Sequence, residues 1–209
     1  MSTTACWQCG NALDGALICR QCHSLQPPPS DYFAIFDIER RLDLDVDALQ
    51  QTFYRLSRQM HPDRYTRRGP REQQYALEAT AVLNDAWRVL RDPARRAEYV
   101  LTQEGFDIGE QRSKDVPPEL LEEVFELNMA LEELRGGVES VRPQLESART
   151  NFERMQAEAD GSLSELFRRY DANPQRDTLG VIRGILNRRR YIRNLIREVD
   201  KELHVHVSN

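Results

Sequence analysis

Apolar side chains recur at the three- and four-residue spacing of a helix face along most of the chain, and this periodicity restricts its fold more than any other feature. Between Asp45, a suitable N-cap residue, and Met60, the apolar positions are Leu49, Phe53 and Leu56. No segment alternates with the period of two that marks a half-buried strand, and the sequence has no glycine-rich phosphate loop. The sequence therefore predicts an all-α fold and argues against a sheet-based nucleotide enzyme.

A second helix follows closely enough to form an antiparallel hairpin with the first. It begins near Pro70, a residue favoured in the first helical turn, and ends before Pro93. Its apolar positions are Tyr75, Ala79, Val82, Leu83, Ala86, Trp87 and Leu90. The connection between the two helices, HPDRYTRRG at residues 61–69, is polar, so we expect an exposed tip rather than part of the core.

Three more helices are predicted in residues 117–203, after a mixed stretch from Gly105 to Val116. The first runs from Glu119 to Leu134, and the other two are marked by apolar positions between Leu145 and Leu166 and between Ile182 and Leu203. The stripe that the first of these helices would bury consists of Leu120, Val124, Leu127, Leu131 and Leu134. A C-terminal three-helix bundle is the simplest arrangement of these elements.

Composition narrows the class of protein. The chain has 209 residues, of which 40% are hydrophobic and 30% charged, as in ordinary globular proteins. Its net charge of -5 argues against a nucleic-acid partner, and no apolar run is long enough to cross a membrane. The first residues lack the basic and apolar regions of a secretory signal, which favours a bacterial cytoplasm, although a mitochondrial matrix location stays open.

All four cysteines lie in the N-terminal segment 1–26, which precedes the extended run Pro27–Pro29. They form two CxxC pairs, Cys6 with Cys9 and Cys19 with Cys22. Such pairs can point four thiolates at one tetrahedral metal ion, for which zinc is the best candidate and iron the next. Because so short a segment cannot bury enough apolar surface to fold alone, we expect one structural zinc per chain. Two disulfides, or a redox-active CxxC, are the alternatives; they require an oxidising compartment or a thioredoxin-like strand and helix.

The triplet His61-Pro62-Asp63 begins the connection of the helical hairpin. Pro62 stiffens this turn, and Asp63 presents a carboxylate without a second acid nearby in the sequence. Catalytic sites usually converge several groups in a pocket that excludes water, which a protruding tip does not offer. The triplet is therefore interpreted as a recognition element, and the chain is not expected to be an enzyme. A turn that merely caps the two helices is the alternative.

Several segments together resemble the J domain of the DnaJ class: DYFAIFDI, the helix from Leu49 to Met60, HPDR and LNDAWRVLRDPARRAEYVL. More narrowly, RAEYVLTQEGFDI, the acidic helix after it and the three C-terminal helices are similar to the HscB family of iron-sulfur cluster assembly over nearly all of residues 31–203. Some members of that family also carry N-terminal CxxC pairs. The resemblance implies a metal module at 1–26, a J domain at 31–104 and a scaffold-binding domain at 117–203.

The resemblance also implies two partners. The J domain would stimulate the ATPase of a DnaK/HscA-type chaperone, and the C-terminal domain would hold the IscU-type scaffold on which clusters are built. The residues that match the chaperone-binding positions are His61, Pro62, Asp63, Arg64, Arg55 and Arg58. Arg64 stands where lysine is usual, which keeps the charge. The helix before the loop has only Arg55 and Arg58 as basic residues, which favours a dedicated chaperone partner over promiscuous stimulation.

The residues that match the scaffold-binding positions of the family are Leu121, Glu122, Phe125, Glu126, Met129 and Tyr191. Glu122 and Met129 depart from the residue types usual there. The charge of this acidic helix has a second explanation, because a basic last helix in the same bundle would attract it. Whether the protein forms a homodimer stays open. The competing functions are a zinc-dependent nucleic-acid or protein adaptor and a thiol oxidoreductase, against which the net charge and the missing βαβ pattern argue respectively.

Overall fold

Helices make up the regular structure of the residues that this computed structural model describes, 5–13, 15–108 and 118–205. The α-helices are α1 (Tyr32–Phe36), α2 (Val46–Met60), α3 (Pro70–Leu90), α4 (Pro93–Gln103), α5 (Leu121–Arg135), α6 (Arg142–Ala172) and α7 (Arg176–Val205). Within the described ranges the extended structure is limited to two isolated bridge pairs, so the all-α prediction is confirmed. Residues 1–4 and 14 of the predicted metal module, residues 109–116 of the predicted linker and residue 117, where the predicted C-terminal domain begins, lie outside the described residues.

The chain divides into two compact units between Tyr99 and Val100. In the first unit, α1 and α2 both pack against α3. The carboxylate of Asp45 caps α2 by accepting the backbone N–H groups of Asp47 and Ala48, as the sequence predicts. The side of α2 that faces α3 buries Leu49, Leu56 and Met60, while its Phe53 stacks on Trp87 of α3 with ring centroids 5.1 Å apart.

Two helices, α1 in the first unit and α4 at the boundary between the units, were not predicted. Asp31 caps the five-residue α1, which is too short to show a helical period. Pro93 opens α4, and the Asp92 carboxylate accepts the N–H groups of Ala94 and Arg95. A proline after a long helix can therefore begin the next helix as well as end the previous one.

The second unit contains the three-helix bundle formed by α5, α6 and α7, with α6 and α7 making the longest contact. All five residues of the predicted α5 stripe are buried: Leu120, Val124, Leu127, Leu131 and Leu134. They pack with Leu145, Phe152 and Met155 of α6 and with Ile192, Leu195 and Val199 of α7. Glu119 begins the predicted helix within the short 3-10 turn Pro118–Leu120, and the α-helix starts at Leu121.

The ion pairs between helices of the bundle are not those expected from an acidic α5 facing a basic α7. Arg135 at the end of α5 lies 2.6 Å from Glu202 and 3.6 Å from Glu198, both on α7. Arg149 of α6 lies 2.6 Å from Asp200 of α7. In these pairs α7 supplies the acid, whereas its Arg189 pairs with Asp160 of α6.

None of the helices within the described ranges combines the length and the apolar composition needed to cross a membrane.

Candidate metal and partner-binding sites

The two cysteine pairs form knuckles with the same backbone design. In the first, the N–H of Gly10 donates to the carbonyl of Cys6 over 2.9 Å; in the second, the N–H of His23 donates to the carbonyl of Cys19 over 2.9 Å. Both closing residues have a positive φ, 77° at Gly10 and 58° at His23. A residue in this left-handed conformation lets the chain turn back sharply after the second cysteine. His23 thus occupies the position of a turn residue, while the cysteines supply the ligand atoms.

The four sulfur atoms converge on one point. All lie within 4.8 Å of one another, with 3.6 Å between the sulfurs of Cys6 and Cys22 and 3.7 Å between those of Cys9 and Cys19. A tetrahedral site with metal–sulfur bonds of about 2.3 Å requires sulfur–sulfur separations of about 3.8 Å. A disulfide requires about 2 Å, and all four cysteines are free. The four cysteines therefore form a site that can bind a metal ion.

Two buried polar side chains next to the second knuckle face these sulfurs. The hydroxyl of Ser24 lies 3.3 Å from the sulfur of Cys6 and 3.1 Å from that of Cys22. The amide nitrogen of Gln26 donates to the Cys6 sulfur over 3.3 Å. Although burial alone would raise it, hydrogen bonds from Ser24 and from the backbone lower the pKa of Cys6 to about 5. Donors of this kind stabilise a thiolate, which is the form that binds metals.

The loop that joins α2 and α3 begins with the His61-Pro62-Asp63 triplet, which is exposed at the end of the hairpin. The side chains of His61 and Asp63 are 54% and 86% exposed, and the Asp63 carboxylate lies 3.5 Å from Nδ1 of His61. The same nitrogen accepts the backbone N–H of Asp63 over 3.3 Å. The hydroxyl of Thr66 donates to the Asp63 carbonyl over 3.1 Å. His61 thus caps a short 3-10 turn, Pro62–Tyr65, which presents the Asp63 carboxylate to solvent.

The prediction that the whole loop is exposed is wrong at one residue. Tyr65, in the middle of the loop, is only 7% exposed, and its hydroxyl donates to the carbonyl of Gln59 over 3.2 Å. Burial, together with the negative charge of Glu72, raises the pKa of Tyr65. An aromatic ring inside a polar loop thus fixes the loop to the hairpin.

The basic residues predicted to contact a chaperone lie on the exposed side of α2 and in the loop. Arg55, Arg58 and Arg64 are all exposed. The guanidinium of Arg58 donates to the carbonyl of Tyr54, and that of Arg55 reaches the side chain of Gln59. Their contacts are with neutral groups, so their charge is available to an acidic partner surface.

On the outer face of α5, three large apolar side chains follow one another at four-residue spacing. Leu121 is 56% exposed, Phe125 66% and Met129 50%. The exposed Glu122 and Glu126 stand beside them. Such a contiguous row exceeds what a surface helix needs for its own core and is typical of a binding face.

Tyr191, the remaining predicted scaffold-binding residue, lies on α7. Its ring is partly buried against the bundle core, and burial, together with Glu198, raises its pKa. The exposed apolar part of the predicted scaffold-binding surface therefore comes from α5 more than from Tyr191.

Four residues with evident roles were not predicted as site residues. Ser24 and Gln26 face the thiols, Glu72 receives a hydrogen bond from the metal module, and Gln73 binds two carbonyls of the loop. Ser24 and Gln26 could have been found from the sequence, because they come directly after the second CxxC pair.

Two family models match the chain, one for each helical region. The DnaJ domain matches residues 31–99, and the HSCB C-terminal oligomerisation domain matches residues 116–200. The chain belongs to the HscB family of J-domain co-chaperones. The resemblance noted from the sequence motifs is thereby confirmed.

Relatives and solved structures of the HscB family agree with this assignment. The chain is 28% identical to the human iron-sulfur cluster co-chaperone protein HscB over 91% of its own length and 78% of the human protein. It is 31% identical to the mouse protein of the same name, over 60% of this chain and 56% of the mouse protein. The crystal structure of human co-chaperone protein HscB superimposes with a TM-score of 0.75 at 26% identity, covering 95% of this chain and 98% of the human one. Chaperone HscB from Vibrio cholerae gives 0.59 at 26% identity, covering 82% and 96%.

Proposed function

We propose that this HscB-family chain stimulates ATP hydrolysis by a DnaK/HscA-type chaperone, delivers an IscU-type scaffold to it and has no catalytic activity of its own. The observation that carries the proposal is the exposed Asp63 carboxylate at the end of the hairpin, in the loop that follows the helix carrying Arg55 and Arg58. The human and mouse relatives, which are named as iron-sulfur cluster co-chaperones, support the same conclusion.

The chain would act on its partner through differential binding. A ligand that binds one conformation of a protein better than another shifts that protein toward the better-bound conformation. In this case the chain would be the ligand, and the chaperone would change conformation. Arg55, Arg58 and Arg64 would attract an acidic surface of the chaperone, and Asp63 would bind a group that is in place only in the hydrolysis-competent conformation. ATP and the groups that cleave it would all belong to the chaperone.

The outer face of α5 would hold the scaffold. Leu121, Phe125 and Met129 offer an apolar row that a partner can cover, and Glu122 and Glu126 at its rim favour basic groups opposite them. The chaperone-binding loop and this face belong to different units, so the two partners would contact different residues of the chain.

The resident metal is proposed to be zinc, one ion per chain, held by the thiolates of Cys6, Cys9, Cys19 and Cys22. Zinc would supply no chemistry beyond the folding of the module. We expect metal analysis of protein purified without oxygen to give a zinc-to-chain ratio near one. A ratio near zero, with four titratable thiols, would contradict the proposal, whereas a coloured protein would indicate iron at the same site.

The proposed function is tested by measuring ATP turnover of a purified DnaK/HscA-type chaperone alone, with this chain, and with this chain plus the IscU-type scaffold. We expect turnover to rise with the chain and to rise further with the scaffold. The chain by itself should hydrolyse no ATP. A chaperone from the same organism that shows no response at saturating chain would refute the proposal.

A further inference from the structure

The metal module packs directly on the first turns of α3. The backbone N–H of Leu25 donates to the carboxylate of Glu72 over 3.3 Å, and both residues are buried, at 0% and 6% exposed. The ring of Trp7 meets Tyr75 edge-on at 6.1 Å, while the guanidinium carbon of Arg71 lies 4.6 Å from the centre of the Trp7 ring. An acid, an aromatic ring and a cation of α3 are thus all engaged by the module.

The segment that makes these contacts also holds the metal-binding sulfurs. Through its nitrogen, the side chain of Gln26 donates to the Cys6 sulfur over 3.3 Å; through its oxygen, it accepts the backbone N–H of Trp7 over 3.3 Å. The indole N–H of Trp7 in turn donates to the carbonyl of Leu25 over 2.7 Å. Because Leu25 and Trp7 are the residues that reach α3, the docking surface and the metal site are parts of one small structure.

Gln73, which follows Glu72 in α3, holds the loop by two hydrogen bonds. The side-chain amide of Gln73 donates to the carbonyls of Thr66 and Arg68, over 3.2 and 2.8 Å. Its neighbour Glu72 lies near the loop, since burial and the charge of Glu72 together raise the pKa of Tyr65. The first turn of α3 therefore carries, side by side, a residue fixed by the metal module and a residue that fixes the loop.

The module depends on its metal. Its own core consists of Cys6, Leu13 and Cys19, with Cys22 packed against them, and we expect so small a core to need the ion to fold. Loss of the ion would release Leu25 and Trp7 from α3, so that Glu72 loses both its hydrogen-bond donor and the residues that cover it. Without these contacts the first turn of α3 is held less firmly and opens more often, so that Gln73 no longer stays in the position from which it bonds to the loop.

We propose that metal binding to the tetracysteine module orders the loop at residues 61–69 through the first turn of α3, with Glu72 and Gln73 as positioning residues. Loss of the metal frees the loop while the hairpin beneath it stays folded. The consequence for chaperone stimulation rests on the function proposed above, whereas the ordering of the loop does not.

The direct test is amide hydrogen exchange of the full chain, zinc-loaded and after removal of zinc by a chelator under reducing conditions. The N–H groups of Arg64 and Arg68, which donate to the carbonyls of His61 and Tyr65, report on the loop. We expect these amides to exchange about tenfold faster without zinc, and to recover when zinc is added back. Unchanged loop exchange would overturn the proposal. An equal loss of protection along α2 and α3 would also overturn it, because the metal would then stabilise the whole hairpin.

Two variants separate positioning from general stability. Gln73→Ala should speed exchange at Arg64 and Arg68 with zinc still bound, without speeding exchange in the buried middle of α3. Gln74→Ala is the matched control, since Gln74 is the adjacent exposed glutamine and bonds to Glu78 on its own helix. The inference fails if the two variants behave alike.

Glu72→Gln tests the contact between the metal module and α3. It should retain one zinc per chain yet lose part of the loop's protection, because a neutral amide accepts the Leu25 N–H more weakly. Full protection of the loop in this variant would contradict the route through Glu72. The exchange experiment needs no chaperone, so its result is independent of the proposed function. If zinc orders the loop but the chain does not stimulate the chaperone ATPase, the proposed function is refuted and this inference is not.

Discussion

A chain carrying Asp63→Asn is expected to lose all stimulation of the chaperone ATPase while it keeps its fold and its affinity for the scaffold. The substitution preserves the shape of the side chain and removes only the charge. With 86% of the Asp63 side chain exposed, the change should alter the free energy of unfolding by no more than about 0.5 kcal/mol. Turnover of the chaperone should therefore fall to its basal value at any concentration of the variant, with an unchanged melting curve.

The matched control is Asp47→Asn, the same substitution at an exposed position of the same hairpin. Asp47 lies in the first turn of α2, at the opposite end of that helix from the loop. Its charge favours the positive end of the helix dipole by about 0.3 to 1 kcal/mol, so a small loss of stability is expected, with stimulation intact. His61→Gln should behave as Asp63→Asn does. If either loop variant unfolds the protein, the triplet is a structural turn and its proposed role is wrong.

Helices and cysteine sites could be predicted because their signals are local. The spacing of Leu49, Leu56 and Met60 fixes one face of α2 without knowledge of what packs on it. The spacing of two CxxC pairs likewise defines a four-thiol site within a segment of 17 residues, from Cys6 to Cys22. In α5, the surplus of apolar residues over a single stripe was enough to predict that Leu121 and Phe125 stay outside the core.

The docking of the metal module could not be predicted, because it depends on a contact between residues 47 positions apart. In sequence, Glu72 is an acid in the first turn of a helix, where a carboxylate commonly faces solvent and favours the helix dipole. Its burial follows from the Leu25 N–H that meets it. Tyr65 was missed for a similar reason: composition marks its loop as polar, while its ring finds a place on the hairpin that only the packed structure provides.

The double variant Leu121→Ala with Phe125→Ala is expected to weaken scaffold binding by at least roughly a hundredfold, which corresponds to about 3 kcal/mol or more. Both side chains are more than half exposed, at 56% and 66%, so the free protein loses little packing when they are truncated. An aromatic and an aliphatic anchor at adjacent turns of one helix are the kind of residues that dominate interface energies, although their effects need not add. Calorimetric titration with an IscU-type scaffold measures the loss directly.

Two reference variants make this result decisive. Leu77→Ala removes an equally exposed leucine (57%) from α3, and it should leave scaffold affinity unchanged. Leu127→Ala removes a leucine of the same α5 helix that is only 2% exposed, and it should lower the free energy of unfolding by about 2 to 5 kcal/mol. The double variant should melt like Leu77→Ala and not like Leu127→Ala, and scaffold-independent stimulation of the chaperone should survive, because the loop that carries Asp63 belongs to the other unit. An unchanged affinity would place the scaffold on another surface, whereas a melting curve like that of Leu127→Ala would show that Leu121 and Phe125 belong to the core.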